Sequence, residues 1–216
     1  MLEALLATAR PVVAGTNTVE LDSDTLFLSR LDGTFTDQVG KATFTNTAST
    51  FSTAQSIFGT SSCYMDGSTA QLVLSGLTPM GAGDFTVETW IYFISDSNGE
   101  ITDGKANSVN SFPRLRMLAG KLTMYDGGNA NTVQLTASAF PANRWHHVAI
   151  VRLAGVETLF VDGANKGSLA NTGNYTDTYC TIGRTPGFGY YIKGYFNGMR
   201  FSKVARYTDN FTPIAI

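Results

Sequence analysis

Few residues in this chain of 216 could support acid–base chemistry, because it contains only five glutamates and two histidines. Hydrolysis of a glycosidic bond needs two carboxylates held roughly 5 to 10 Å apart. Glu88 lies within a long strand-like run, where a carboxylate is expected to be a hydrogen-bonded partner on the sheet rather than a catalytic acid.

The two histidines, His146 and His147, are neighbours in a second strand-like run. Successive strand side chains point to opposite faces, so these imidazoles cannot jointly bind one metal. No serine, cysteine or acid in a recognisable nucleophile elbow accompanies them. The sequence therefore predicts structural histidines, no catalytic residues and a protein that is not an enzyme.

The segment from Arg184 to Tyr191 is the strongest candidate for ligand binding. Aromatic rings offer a flat apolar face to a sugar or a protein partner, while arginine and tyrosine add hydrogen bonds. The candidate residues are Arg184, Phe188, Tyr190 and Tyr191, joined by Tyr125 and Asp126 if their loops share an edge. The alternative is that these rings pack beneath their own loop.

Calcium is the only cofactor that the sequence suggests, since loop carboxylates and amides supply the oxygens it prefers. Two clusters carry such groups: Asp103 with Asn107 and Asn110, and Asp126 with Asn129 and Asn131. The alternative is ordinary turns between strands, where Asp and Asn are common. Asp66 and Asp162, each followed by glycine, are predicted to be turn residues.

The elements that would position these residues are β-strands. Apolar residues on both faces of Trp145–Arg152 predict a central strand, and Glu157–Val161 pairs back on it after the Gly155 turn. Further predicted strands are Thr25–Leu31, Cys63–Gly67, Gln71–Leu74, Asp84–Phe93, Arg114–Met117, Lys121–Tyr125, Thr132–Leu135, Tyr179–Gly183 and Gly194–Phe201. Turns about every 8 to 12 residues favour a sandwich or jelly roll.

Composition agrees with a turn-rich β protein: 15% of residues are charged and 22 are glycine. The net charge of −2 and the lack of a Lys/Arg cluster argue against nucleic acid as a partner. Cys63 and Cys180 are predicted to be buried free thiols, with a single disulfide as the alternative.

Residues 1–20 differ from the rest of the chain. Leu2, Leu5, Leu6 and Ala9 follow helical spacing until Pro11, which predicts a short amphipathic helix or arm preceding a domain over residues 21–216. Either this arm docks on its own sandwich or frays, or it makes a homo-oligomer, such as a trimer, or attaches to a larger assembly. Charges at Glu3 and Arg10 argue against a secretory signal or membrane span.

Six motifs occur in an order that resembles the laminin-G-like, concanavalin A-like lectin/glucanase superfamily. They are Cys63–Gly67, Asp84–Trp90, Trp145–Ala149, Leu159–Gly163, Thr181–Gly183 and Gly194–Phe201. The resemblance covers about Leu21 to the end. It implies an all-β, two-sheet antiparallel jelly roll that binds glycans or proteins through loops at one edge, sometimes with calcium.

The chain departs from that family in two respects. Asn197-Gly198 stands where the last strand commonly carries an acidic pair, and the Glu-x-Asp-x-Glu strand of the family's glucanases does not occur. The ending, Ser202–Pro213, resembles the version found in bacteriophage tail and other virion proteins. Together with the apolar arm and the lack of a secretory signal, that resemblance implies a virion structural protein, a capsid decoration or tail-associated module made in the host cytoplasm. The alternative is a glycan-binding adhesin recognising a host surface.

Overall fold

The computed structural model describes residue 19 and residues 21–94, 98–104, 111–128, 131–136 and 138–216. This part of the chain contains fifteen β-strands and no helix, which confirms the predicted all-β class. The strands are β1 (Thr25–Ser29), β2 (Thr43–Thr47), β3 (Thr50–Ser52), β4 (Ser62–Asp66), β5 (Gln71–Ser75), β6 (Phe85–Phe93), β7 (Gly99–Thr102), β8 (Arg114–Leu118), β9 (Lys121–Tyr125), β10 (Thr132–Leu135), β11 (Trp145–Leu153), β12 (Val156–Val161), β13 (Ala164–Ala170), β14 (Tyr179–Ile182) and β15 (Lys193–Ser202).

The first sheet has eight strands in the order β13-β12-β11-β6-β15-β4-β3, with β1 paired to the second half of β15. The pairings are antiparallel, and β11 is buried from His146 to Arg152. This confirms the predicted central hairpin, because only a strand covered on both faces can hide so many consecutive side chains.

The second sheet consists of two pieces, β10-β9-β8-β7 and β14-β5-β2. Backbone hydrogen bonds join them: Asp103 and Thr181 exchange bonds of 3.1 and 2.8 Å, and the Gly183 amide donates to the Glu100 carbonyl at 2.8 Å. The pieces therefore form one layer in which β7 is central, with three strands on either side.

The core lies between the two layers and follows the strand period of two. Phe85, Val87, Ile91 and Phe93 of β6 all point into it, as their alternation predicts. From the second sheet, alternate residues of β5, β8 and β9 enter the same cluster, including Leu74 and Met117. The result is the predicted two-sheet sandwich.

The strands β2, β3 and β7 depart from the predicted strands for physical reasons. The polar, Thr-rich segment at 34–55, whose composition predicts a loop with weak strand content, contains β2 and β3. β2 is mostly exposed, so its sequence carries no apolar alternation. The strand β7 was not predicted, because its four residues, Gly-Glu-Ile-Thr, are too short for a periodic pattern.

A buried polar network lies on the outer face of the first sheet. The two carboxylate oxygens of Glu88 accept hydrogen bonds from Arg200 Nε at 2.6 Å and from the Tyr207 hydroxyl at 2.8 Å, and His147 Nε2 lies 3.1 Å away. Burial opposes the charged carboxylate, but the Arg200 guanidinium and His147 outweigh it and lower the pKa of Glu88 to about 2. The predicted hydrogen-bonded role of Glu88 is confirmed.

His146 points the other way, as the strand alternation predicts. Its imidazole stacks near Phe93 and Phe140 and bonds to the Pro141 carbonyl at 2.9 Å and to Asp162 at 2.8 Å. Both histidines are therefore buried structural side chains.

Other buried groups also have structural roles. Cys63 and Cys180 are buried free thiols, as predicted. Asn197 Oδ1 accepts hydrogen bonds from the amides of Ile57 and Phe58 at 3.0 and 3.2 Å. Asn197 therefore anchors the loop before β4.

A fully buried arginine, Arg152, holds two loops together. Its guanidinium donates to the carbonyl oxygens of Gly83, Gly173 and Gly81 at 2.7, 2.7 and 2.6 Å. It also lies 4.6 Å from the centre of the Phe85 ring. This side chain therefore serves three backbone acceptors, of which the Gly81 carbonyl also accepts from the Tyr175 amide at 3.0 Å.

The first and last described residues of the domain lie next to each other. Val19, placed in the arm by the sequence-based division, is buried with Leu28 and Ile216, and its amide donates to the Ala215 carbonyl at 2.8 Å. No helix long and apolar enough to cross a membrane is present in the described ranges.

Candidate ligand-binding site

The aromatic loop predicted to bind ligand connects β14 to β15 and closes on itself. Arg184 and Tyr191 form a β-bridge at its base. Within it, the Thr185 amide donates to the Tyr190 carbonyl at 3.0 Å, and the Phe188 amide donates to the Thr185 carbonyl at 3.2 Å. Gly187 has a φ of 76° at the tip, a conformation that glycine adopts without strain. This tight turn directs the tip side chains outward.

Phe188 and Tyr190 are 49% and 41% exposed. Their rings are nearly parallel, with 6.1 Å between centroids and 6° between planes. The alternative that these two rings pack beneath their own loop is therefore wrong. Tyr191 is only partly exposed and has the Arg184 guanidinium 5.6 Å from its ring centre.

A charged cluster on the outer face of the second sheet lies next to the loop. Arg114 Nη2 donates to Glu100 Oε1 at 2.8 Å, and Arg116 Nε lies 3.5 Å from the same oxygen. The Thr185 hydroxyl donates to this oxygen at 3.3 Å, and the Arg116 guanidinium lies 5.5 Å from the Tyr190 ring centre. Glu100 thus fixes both arginines and the base of the loop.

Burial raises the pKa of Glu100 to about 7, despite the hydrogen bond from Arg114. It also raises the pKa of neighbouring Asp103, whose Oδ2 lies 3.6 Å from Arg114 Nε. Glu100 is fully buried, so it can orient the arginines while a ligand meets the exposed rings.

Sequence reasoning missed Glu100, Arg114 and Arg116. The available signal was the Arg-x-Arg spacing on a predicted strand, which places both guanidinium groups on one face. Their common partner could not be found, because β7 itself was not predicted.

Tyr125 and Asp126 differ in their relation to the loop. The Arg114 guanidinium lies 4.6 Å from the Tyr125 ring centre, so Tyr125 connects to Tyr190 through Arg114, Glu100 and Arg116. Asp126 Oδ2 accepts bonds from the amide and the side chain of Asn131 at 3.1 and 2.8 Å. The Asp126 carboxylate is therefore bound by Asn131 of its own segment, not by the loop at 184–191.

The two predicted calcium-binding clusters lie only partly within the described residues. Asn107, Asn110 and Asn129 lie outside the described residues. Asp103 Oδ1 accepts from the Gly104 amide at 2.8 Å. Within the described ranges, no three His, Cys, Asp or Glu side chains come together to hold a metal. Leu2, Leu5, Leu6 and Ala9, predicted to mediate assembly, also lie outside the described residues.

Comparison with known families settles the classification. The pattern of the concanavalin A-like lectin/glucanases superfamily matches residues 66–210, well over half of the chain. The chain belongs to this superfamily. No curated protein matches the chain in sequence.

Several solved structures share the superfamily fold. The receptor-binding domain of botulinum neurotoxin C/D mosaic serotype aligns with a TM-score of 0.64 at 14% identity, over 84% of this chain and 48% of that one. The serotype D ligand-binding domain in complex with N-acetylneuraminic acid gives 0.64 at 15%, over 84% and 48%. The neurotoxin DC binding domain in complex with rat synaptotagmin II gives the same values. The chain therefore spans about half the length of these domains, and the likeness establishes the fold.

Proposed function

We propose that this superfamily member is a non-enzymatic binding module that holds a glycan against Phe188 and Tyr190. The observation that carries this proposal is the pair of exposed, nearly parallel rings at the tip of a closed loop. A water-soluble domain gains nothing for its own stability by presenting two such rings to solvent, whereas an apolar ligand face stacks on them.

Polar groups beside the rings suit the hydroxyls of a sugar. Arg184 Nη1 lies 3.3 Å from Gln71 Oε1 at the base of the loop, and Arg116 backs the Tyr190 ring. A few such groups next to an apolar face are typical of ligand sites. The neighbours' complexes with N-acetylneuraminic acid and with rat synaptotagmin II support binding as the function.

The geometry of the acidic groups favours binding over hydrolysis. Glu100 and Asp103 are buried, and both pair with Arg114. These carboxylates therefore position an arginine side chain and do not face a substrate across a cleft. Release of reducing sugar from any glycan that the protein binds would overturn this part of the proposal.

A glycan-array screen, with and without calcium, followed by calorimetry on the best ligand, tests the proposal. Phe188→Ala and Tyr190→Ala should each weaken binding about two- to tenfold, because a lost stacking contact costs about 0.5–1.5 kcal/mol. The melting temperature should change little, since both rings are exposed. Val156→Ala removes an equally exposed apolar side chain from β12 and should change neither quantity.

Two results would contradict the proposal. Unchanged affinity in the Phe188→Ala and Tyr190→Ala variants would place the ligand elsewhere. A large loss of thermal stability would mean that the rings support the fold.

The virion role remains a second proposal. It is supported by the resemblance of residues 202–213 to virion versions of this domain and by the apolar spacing of Leu2, Leu5 and Leu6. In this function the domain decorates a capsid or tail, and residues 1–20 attach it to the particle or to copies of itself. Immunogold microscopy of source particles, with antibody raised to residues 21–216, would label the head or the tail; absence of label would contradict this role.

A further inference from the structure

The two arginines of β8 differ in how completely acidic side chains neutralise them. Arg114 Nη2 donates to Glu100 Oε1 at 2.8 Å, and Arg114 Nε lies 3.6 Å from Asp103 Oδ2. Arg116 has a single contact within salt-bridge distance among the described residues, between its Nε and the same Glu100 oxygen at 3.5 Å. One carboxylate is therefore shared by two guanidinium groups, and Arg114 has the shorter contact.

The outer part of the Arg116 guanidinium is available to a ligand. Its Nε atom is buried, whereas the side chain as a whole is 14% exposed. Unlike Nε, the two Nη atoms are not buried, and they make no hydrogen bond to a described residue. Because Glu100 holds the group from beneath, these N–H donors are presented without the entropic cost of ordering a free side chain.

The surrounding face of the second sheet carries a further cation. Leu122 and Met124 of β9 enter the core, so Lys121 points outward on the same face as Arg116. Arg116 pairs with Thr123, which makes Lys121 its diagonal neighbour, about 7–8 Å away. Lys121 is exposed and forms no ion pair within the described part of the chain. The face therefore has more positive charge than its acids balance.

The shared acid is also a weak counter-charge at neutral pH. Burial raises the pKa of Glu100 to about 7, so a large fraction of this carboxyl carries a proton near pH 7. Glu100 is fully buried and contacts the arginines from the side away from solvent. It therefore leaves the outer N–H groups of Arg116 to an anion that arrives from solution.

Arg116 lies beside the ring on which a sugar would stack. Its guanidinium carbon is 5.5 Å from the centre of the Tyr190 ring, which is 41% exposed. The Thr185 hydroxyl ties the base of the loop to Glu100 at 3.3 Å, so the ring and the guanidinium are held against one another. The acidic group of a uronic or sulfated sugar is attached to the sugar ring itself, and stacking on Tyr190 brings it next to Arg116.

We propose that the glycan held by Phe188 and Tyr190 is acidic, and that Arg116 binds a carboxylate or sulfate of the sugar stacked on Tyr190. This inference rests on the proposed function and specifies its ligand class. A guanidinium donates two parallel hydrogen bonds to such a group, and Lys121 attracts a second acidic sugar of the same glycan. Nucleic acid is a poorer match, because neutralising its backbone requires a larger group of cations.

Matched pairs of glycans test the inference on the unmodified protein. An array presents oligosaccharides of uronic acids and of N-acetylneuraminic acid beside their carboxyl-reduced forms, and sulfated oligosaccharides beside their desulfated forms. In each pair that is bound, the acidic member should bind at least about tenfold more tightly, because it gains charge-assisted hydrogen bonds. The pairs that show the preference distinguish carboxylate from sulfate as the group recognised.

Variants then assign the preference to one side chain. Arg116→Gln should reduce the ratio of the two affinities from about ten to about one, and Arg116→Lys, which keeps the charge without the paired donors, should give an intermediate ratio. Lys166→Gln removes an exposed cation from β13 of the first sheet and should leave the ratio unchanged. If Arg116→Gln folds poorly, Arg116→Lys and the glycan pairs still decide the question.

The outcomes separate this inference from the proposed function. Equal affinity for both members of every bound pair would overturn the acidic class, while weaker binding in Phe188→Ala and Tyr190→Ala would still support a glycan site. A preference that survives Arg116→Gln would also overturn the inference. Binding of no glycan of either kind would overturn the proposed function together with it, and so would a single-stranded oligonucleotide that binds more tightly than any glycan.

Discussion

Replacing Glu100 by glutamine should make the protein more stable at neutral and alkaline pH. The carboxyl is fully buried beneath Arg114 and Arg116, and its Oε2 has no hydrogen-bond partner among the described residues. Glutamine keeps an acceptor for Arg114 and resembles the protonated acid in shape and charge. The variant therefore removes the ionisation while preserving most contacts.

The size of the effect follows from the pKa of Glu100, which burial raises from 4.5 to about 7. Between these values the folded protein holds a proton that the unfolded chain has released, so the free energy of unfolding falls as the pH rises. Over 2.5 pH units at 1.36 kcal/mol each, the loss amounts to about 3 kcal/mol. It is absent below pH about 4.5 and complete above pH about 7.

Urea unfolding of both proteins at intervals from pH 4.5 to pH 8 measures this difference. The stability of Glu100→Gln relative to the unmodified protein should rise by about 3 kcal/mol across the range, with unchanged m-values. Glu157→Gln is the matched comparison, because burial raises the pKa of Glu157 also to about 7 and its partners are different, so the two effects should add. Parallel pH profiles for Glu100→Gln and the unmodified protein would refute the reasoning.

Three further predictions concern buried groups. Asn197→Ala should lower the free energy of unfolding by about 3 kcal/mol, because two amides lose their acceptor; the exposed Asn210→Ala should cost clearly less, and equal urea midpoints would contradict this account. Arg152→Leu should cost about 3 kcal/mol or more by removing three buried hydrogen bonds, those to the carbonyl oxygens of Gly83, Gly173 and Gly81, and a variant as stable as the unmodified protein would show that water replaces the guanidinium. Cys63 and Cys180 should resist a thiol reagent until urea unfolds the chain, since burial raises the pKa of both thiols; rapid labelling of the native protein would mean that the core opens locally.

The sequence predicted correctly those strands whose apolar pattern can be recognised within the strand itself. Alternation in β6 and the apolar run of β11 identify strands because burial on one or both faces dictates residue type at each position. The polar strand β2 and the short strand β7 escaped prediction, since they are specified by backbone pairing with neighbours distant in sequence.

The candidate site was predicted only in part, for the same reason. Composition marked Phe188 and Tyr190, and the neighbouring Gly187 adopts the tip conformation that exposes both rings. The sequence could not show that Arg116 packs against the Tyr190 ring or that Glu100 lies beside Arg116. These three residues come from three separate segments of the chain. The sequence likewise could not show that four aromatic residues lie side by side on adjacent strands, because this depends on the register between the strands. The residues are Tyr64, Tyr92, Trp145 and Tyr195.

The hydrogen bond between Val19 and Ala215 has a consequence for protein engineering. Because the two ends of the described domain lie side by side, the domain can be joined to another protein at a single position in that protein's chain. It should be possible to insert it into an exposed loop of a carrier protein without separating the two ends of that loop. The tip at Phe188 and Tyr190 could then be displayed in many copies on a designed scaffold, where weak single-site binding would accumulate into avidity.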